Sequence, residues 1–422
     1  MTSSGAGGIV QVAAGGTHNC VVLRGGAVKC WGRNQYGELG AGDTANRGSD
    51  AGDMGKLGAV DLGKGRTARS LGLGYQHSCA VLDDGSVKCW GKNEDGQLGL
   101  GDTAHRGDAA GEMGDKLAAV DLGAGRTAKQ VAAGYSSTCA VLDNGQVKCW
   151  GKGDDGQLGT GDASHRGKGS GTMGDKLPAV DLGKGRTAVS VTVSIYNACA
   201  LLDDATVKCW GVNDEGQLGL GTKENHGDKA GTLGDKLPVT DLGKGRTVRF
   251  VQAASQHACA ILDDASVKCW GKNDGGRLGL GDDKIRGDGP GQMGDNLPFI
   301  DLGKGRTVKA LALGDHHRCA ILDNDSVKCW GLNNWGQLGL GDSDDRGDAP
   351  GEMGDKLPVV DLGPGKPVAL AAGGIHTCAL FETGAIKCWG AAEYGVLGIE
   401  TREDHGKGAG QMGAALPEVK LR

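Results

Sequence analysis

Aromatic residues make up only 4% of the 422-residue chain, prolines number nine, and the hydrophobic fraction is 38%. That is thin for one conventional core of this length. No apolar run approaches the roughly 18 residues that a membrane-spanning helix needs. The 46 basic and 52 acidic residues are interspersed and leave a net charge of −6. No basic stripe forms, so nothing predicts a groove for nucleic acid. The first residues, Met1 to Gly8, have neither a charged n-region nor an apolar h-region and do not read as a secretory leader. A native cytosolic start and a trimmed start on an exported chain both fit them. There is no His-Glu-x-x-His, nucleophile elbow or P-loop. Gly169-x-Gly171-x-x-Gly174 matches the dinucleotide spacing, as do residues 289–294 and 408–413, but no βαβ unit surrounds them and the match is accidental. The sequence therefore predicts no catalytic residue, no bound cofactor and no enzymatic activity.

What is abundant is glycine, 82 residues, and it comes with a period. The segment Cys79-Ala-Val-Leu-Asp-Asp-Gly-Ser-Val-Lys-Cys-Trp-Gly91 returns at Cys139, Cys199, Cys259 and Cys319, with looser copies at Cys20 and Cys378. Seven copies spaced by 59 or 60 residues fill residues 1–422 and leave no room for a second domain. Within a copy, Val131 to Ala133, Cys139 to Leu142, Gln146 to Trp150 and Leu177 to Leu182 read as short strands between Gly, Asp and Asn turns. No helix-length apolar spacing occurs. Four strands seven times predicts an all-β, closed seven-bladed β-propeller; a linear solenoid would use shorter repeats. The chain starts inside a repeat, at residues 9–15, and stops at residues 416–421. Joining those two ends in one blade would close the ring and leave no open edge.

The His-x-Cys-Ala-Val-Leu, Val-Lys-Cys-Trp-Gly and Gly-Gln-Leu-Gly-Leu-Gly-Asp elements together resemble the repeat of the regulator of chromosome condensation family. The resemblance covers essentially the whole chain and implies a seven-bladed propeller. It says less about activity, because that family includes a GTPase nucleotide-exchange factor, a plant ultraviolet-B photoreceptor and a secreted β-lactamase inhibitor. The photoreceptor's Gly-Trp-Arg-His-Thr run is absent.

All fourteen cysteines fall in pairs ten apart: Cys20 with Cys30, Cys79 with Cys89, Cys139 with Cys149, Cys199 with Cys209, Cys259 with Cys269, Cys319 with Cys329, and Cys378 with Cys388. A three-residue loop at Asp83-Asp84-Gly85 sets a register that places Cys79 opposite Cys89, within disulfide reach. One disulfide per blade is the leading expectation, and it would place the protein outside a reducing cytosol. Paired free thiols and half-sites for zinc are the alternatives. In blades four to six the loop glycine is replaced by Ala205, Ala265 and Asp325.

The seven Trp of the Cys-Trp-Gly elements read as packing between blades. Five His two residues before the first Cys, with Ser137 and Asn197 in the other two places, read as structural hydrogen-bonding groups. Trp335 sits at a variable loop position and is a candidate contact residue. A loop series of Arg47, Arg106, Arg166, His226, Arg286, Arg346 and His405 reads mainly as ion pairing that ties the loop down. Three of these, Arg106, Arg286 and Arg346, stand in Arg-Gly-Asp and are candidates for meeting an anionic partner. The neighbouring Asp102, Asp108 and Asp115 admit calcium. Blade four departs most from the repeat, at Asn197, Ala205, Thr222, His226 and Leu233, which makes Asn225 and His226 further candidates beside plain drift. The sequence thus predicts a scaffold that binds a protein or surface macromolecule outside the cytoplasm. A cytosolic regulator similar to the exchange-factor member, with reduced cysteines, is the alternative.

Overall fold

A computed structural model describes residues 8–421, so residues 1–7 of the uncharged start and Arg422 lie outside the described residues. Seven three-stranded antiparallel sheets cover residues 9–32, 68–91, 128–151, 188–211, 248–271, 308–331 and 367–390. We number these blades one to seven.

Blade two shows why the sequence folds this way. Its strands are Ala68–Leu73, His77–Leu82 and Val87–Gly91. The middle and third strands are buried at every position, so they read as continuous apolar runs and are covered on both faces by neighbouring blades. The first strand is partly open because it faces a central cavity of about 470 Å³, to which every blade contributes. Gly85 closes the hairpin at φ +81°, and its N–H donates to Leu82 O. That turn fixes Leu82 against Ser86 and Cys79 against Cys89, the register expected from the loop length.

The cysteines pair as the spacing predicts. Disulfides join Cys20 to Cys30, Cys79 to Cys89, Cys139 to Cys149 and Cys199 to Cys209. They likewise join Cys259 to Cys269, Cys319 to Cys329 and Cys378 to Cys388. Every pair has its Cα atoms 4.0–4.1 Å apart, and no cysteine is free among the described residues. Ala205, Ala265 and Asp325 adopt φ of 62°, 64° and 67° at the position of Gly85, a conformation that costs a side-chain-bearing residue roughly 1–2 kcal/mol.

The fourth run of each repeat is not a strand. In the Leu177 to Leu182 run, one backbone bond, Val180 N–H to Val147 O at 2.8 Å, ties it to the sheet. Pro178 has no donor, and the carbonyl of Leu182 accepts instead from Lys208 Nζ of the next blade at 3.0 Å. A single 3₁₀ turn such as Gly174–Lys176 precedes this run; the sequence pattern did not signal it.

The first and last blades touch through the bonds used elsewhere. Gly374 N–H donates to Gly16 O at 3.1 Å, just as Gly16 N–H donates to Gly74 O at 3.2 Å. No sheet contains both chain ends among the described residues. Ile9–Ala14 pairs only within blade one, and Val419 N–H bonds Ile386 O in blade seven.

Candidate interaction face

Blade two is fastened to blade three by a small network whose Trp-to-carbonyl bond recurs at six of the seven junctions. Trp150 of blade three donates its indole N–H to the carbonyl of Gln97, in the loop after blade two, at 3.0 Å. Thr138 Oγ1 donates to the same carbonyl at 2.8 Å. His77 Nε2 lies 2.8 Å from Thr138 Oγ1, whose proton is already committed, so the imidazole is the donor there. Gly99 (φ +70°) completes the arrangement, because a Cβ would stand 2.8 Å from Trp150 Nε1. His18, His77, His317 and His376 therefore bond between blades and not within one. Desolvation holds His18, His77 and His376 at a pKa of about 3, so they are neutral. The Lys of Val-Lys-Cys-Trp-Gly adds a second tie: Lys88 Nζ donates to Leu62 O at 3.0 Å and to Gly114 O at 2.7 Å.

These ties leave one end of the molecule to the loops that carry the non-repeated chemistry. Lys92 N–H bonds Gln76 O, which puts the loops at residues 74–76 and 92–97 on the same end. At the cavity mouth Tyr75 and Tyr135 stack with ring centroids 4.6 Å apart. Arg33 lies over Tyr394 at 5.1 Å and over Tyr36 at 5.9 Å, and Lys92 lies 5.1 Å from the Tyr36 centroid. Tyr36, Tyr394 and Trp335 occupy equivalent loop positions in blades one, seven and six. All five tyrosines and the one tryptophan outside the Cys-Trp-Gly elements thus belong to loops of this end. In blades two to four the equivalent positions are Asp95, Asp155 and Glu215. Residues 92–95, 152–155 and 212–215 together carry six carboxylates and two lysines. The end has an aromatic arc and an acidic arc.

The other sequence candidates are held inside their own loops. Arg106, Arg286 and Arg346 pair with Asp102, Asp282 and Asp342 at 2.6, 2.8 and 2.7 Å. Each also donates to a carbonyl two residues back, at 2.8, 2.6 and 2.8 Å. Asn225 is exposed, yet its Oδ1 accepts from Asn213 N–H at 2.9 Å, as Asn46 Oδ1 does from Asn34 N–H. His226 Nδ1 lies 3.0 Å from Thr232 O. Trp335 is half-buried and its N–H bonds Gln337 Oε1. Among the described residues no group of three or more His, Cys, Asp or Glu is arranged to hold a metal, and no helix is long and apolar enough to cross a membrane.

Two residues escaped the sequence reading. Arg277 stands where Gln97, Gln157, Gln217 and Gln337 stand, and Arg318 where Ser78, Thr138 and Thr377 stand. Both are at most 1% exposed. Across the seven copies a cation appears once at each of two inter-blade positions, one of which otherwise carries Gln, Glu or Val and the other Ser, Thr, Asn or Ala, and that was the available signal.

Repeated three-stranded blades joined by Trp-to-carbonyl bonds define a β-propeller type of repeat protein. Residues 2–363 match the RCC1-like domain, and the chain belongs to that family. The ultraviolet-B receptor UVR8 of Arabidopsis thaliana is 32% identical over 280 residues, covering 65% of this chain and 56% of the receptor. The regulator of chromosome condensation of Drosophila melanogaster is 28% identical over 373 residues, covering 86% of this chain and 60% of that protein. The chain therefore spans less than two thirds of the length of these curated relatives. Among solved structures, Prp20p of Saccharomyces cerevisiae, described with its binding to Gsp1p and histones, superposes with a TM-score of 0.65 at 20% identity, covering 87% of this chain and 80% of that one. That likeness concerns the fold.

Proposed function

We propose that this chain is a non-enzymatic scaffold, a closed ring of seven blades, that binds another protein through the loop end bearing Tyr36, Tyr394 and Trp335. The observation that carries the reading is the gathering of all the loop tyrosines and the one loop tryptophan on that end. Tyr, Trp and Arg dominate the energetic centres of protein interfaces because they bury much area at small entropic cost. The acidic arc beside them suits a partner segment with basic side chains. Ring closure is supported by the blade-seven to blade-one bonds, which repeat the chemistry of the other junctions. Arg106, Arg286 and Arg346 serve to fasten loops, and Asn225 and His226 do the same in blade four. The seven disulfides support a location outside the reducing cytosol. The competing reading, a cytosolic regulator similar to the exchange-factor relatives, requires reduced cysteines.

The test uses partners cross-linked to the intact chain in its native source and identified by mass spectrometry. Cross-links are expected on residues 33–36, 332–335 and 391–394. Changing Tyr36, Tyr394 and Trp335 together to Ala is expected to weaken the captured partner at least about tenfold. Changing Arg106, Arg286 and Arg346 to Gln is not. The reverse pattern, with the fold intact, would overturn the assignment of this face.

A further inference from the structure

The junction between blades five and six is built differently from the others. Six of the seven repeat tryptophans donate their indole N–H to a carbonyl of the preceding blade's loop, at 2.9–3.1 Å. Trp330 does not, and its Nε1 is buried without a partner among the described residues. The side chain opposite Trp330 across the hairpin is Arg318. At the equivalent place Ser78, Thr138 and Thr377 each accept from a histidine of the preceding blade and pass a proton on to the loop carbonyl. Arg318 has no acceptor atom, so His257, the histidine facing it, has lost that bond and its Nε2 is also unpaired. Arg318 itself is wholly buried, and none of its Nε, Nη1 and Nη2 atoms has a partner among the described residues.

The Asp274 and Asp315 carboxylates favour the Arg318 charge through space, but neither makes a hydrogen bond or ion pair with it. Arg277 engages Asp274 at 2.5 Å and reaches Asp315 O and His316 Nδ1 at 3.4 and 3.2 Å. Asp274 is thus spent on Arg277, and among the described residues the Asp315 carboxylate makes no ion pair. A guanidinium keeps its proton even when buried, and a buried charge requires compensation. At four other junctions, those of His18, His77, His317 and His376, the imidazole donates from Nε2. In that same tautomer His257 adds one more N–H here. Everything unpaired except the ring nitrogen of His257 is therefore a donor: the guanidinium, one indole N–H and one imidazole N–H. A water offers two acceptor sites, whereas a halide accepts from every direction and cancels the charge.

We propose that this junction holds a small monovalent anion of the chloride class, bound by Arg318 with Trp330 Nε1 and His257 Nε2 as supporting donors. The anion takes the place of the hydroxyl that Ser78, Thr138 and Thr377 supply at three other junctions and joins blade five to blade six.

Protein exchanged into sodium methanesulfonate is titrated with sodium bromide at constant ionic strength, and its melting temperature is followed. A saturable rise of about 2–4 °C is expected. Arg318→Thr, which restores the hydroxyl found in Thr138 and Thr377, is expected to fold without the anion and to lose the response. Crystals of the unaltered protein grown in bromide are expected to show an anomalous peak in contact with the Arg318 guanidinium. A wild-type melting temperature indifferent to bromide, or an equal rise in the variant, would overturn the proposal. So would crystals with only water or the Asp315 carboxylate on Arg318, which decides the matter even if the variant does not fold.

Discussion

His376 Nε2 and Asn19 Oδ1 are 2.9 Å apart although 357 residues separate them. Asn19 Nδ2 in turn donates to Val396 O at 2.8 Å, the carbonyl that also receives the Trp31 indole N–H. This is the junction chemistry of blades two and three, reproduced between the last blade and the first. Lys29 Nζ adds a bond to Leu421 O at 3.3 Å.

Deleting residues 416–421 removes that acceptor together with Val419, which packs in the blade-seven to blade-one core with Val12 and Trp31. The shortened chain is expected to melt at lower temperature and to aggregate through the newly exposed blade. Light scattering and calorimetry decide this; a monomer with unchanged melting would disprove closure at this junction.

Non-reducing peptide maps of freshly isolated protein should link Cys79 only to Cys89, and likewise for the other six pairs. A denatured thiol titration should find none free. Each bridge closes a short loop worth at most roughly 2–3 kcal/mol, and less here because the hairpin is already local. Full thiol reactivity in native material would favour the cytosolic reading instead.

Acid should unfold the chain early. His18, His77 and His376, buried and neutral, protonate in the fold only near pH 3, whereas in the unfolded chain they do so near 6.5. Each depressed imidazole therefore stabilises the fold fully above pH 6.5. That contribution is lost as pH falls toward 3, at about 1.4 kcal/mol per pH unit per histidine. His77→Asn, which copies the natural Asn197, should make urea-unfolding free energy less steep between pH 6 and 4.5 by about that amount. An unchanged slope would mean that His77 is protonated within the fold.

Glu38 occupies the place of Gln97 and Gln157 and is fully buried, with Oε1 unpaired. Desolvation raises its pKa, against the pull of its hydrogen bonds and of Arg33 and Lys92. Such a group favours the fold when protonated and loses that contribution as pH rises through its folded pKa. Glu38→Gln should stabilise by about 1 kcal/mol at pH 7.5 and by little at pH 4. Destabilisation at pH 7.5 would show that the two cations already offset the burial.

The periodicity of the chain by itself determined the sevenfold repeat, the hairpin register and every cysteine pair. These are local consequences: a loop of three residues sets which positions oppose each other, whatever surrounds them. The number of strands per blade was not local. Whether Leu177 to Leu182 pairs as a strand depends on what Lys208, in the next blade, takes from it. The partners of His77 and Trp150 were likewise hidden, since a repeat read in isolation shows that a side chain is buried but not which blade supplies its acceptor. Arg106 looked available in the sequence because its charge is visible and its bond to Asp102 is not. Arg277 and Arg318 looked ordinary because arginine is usually at the surface. Only the packing of blade five on blade six decided that Arg318 is sealed from water, and burial is what turns a common charge into a demand for a counter-ion.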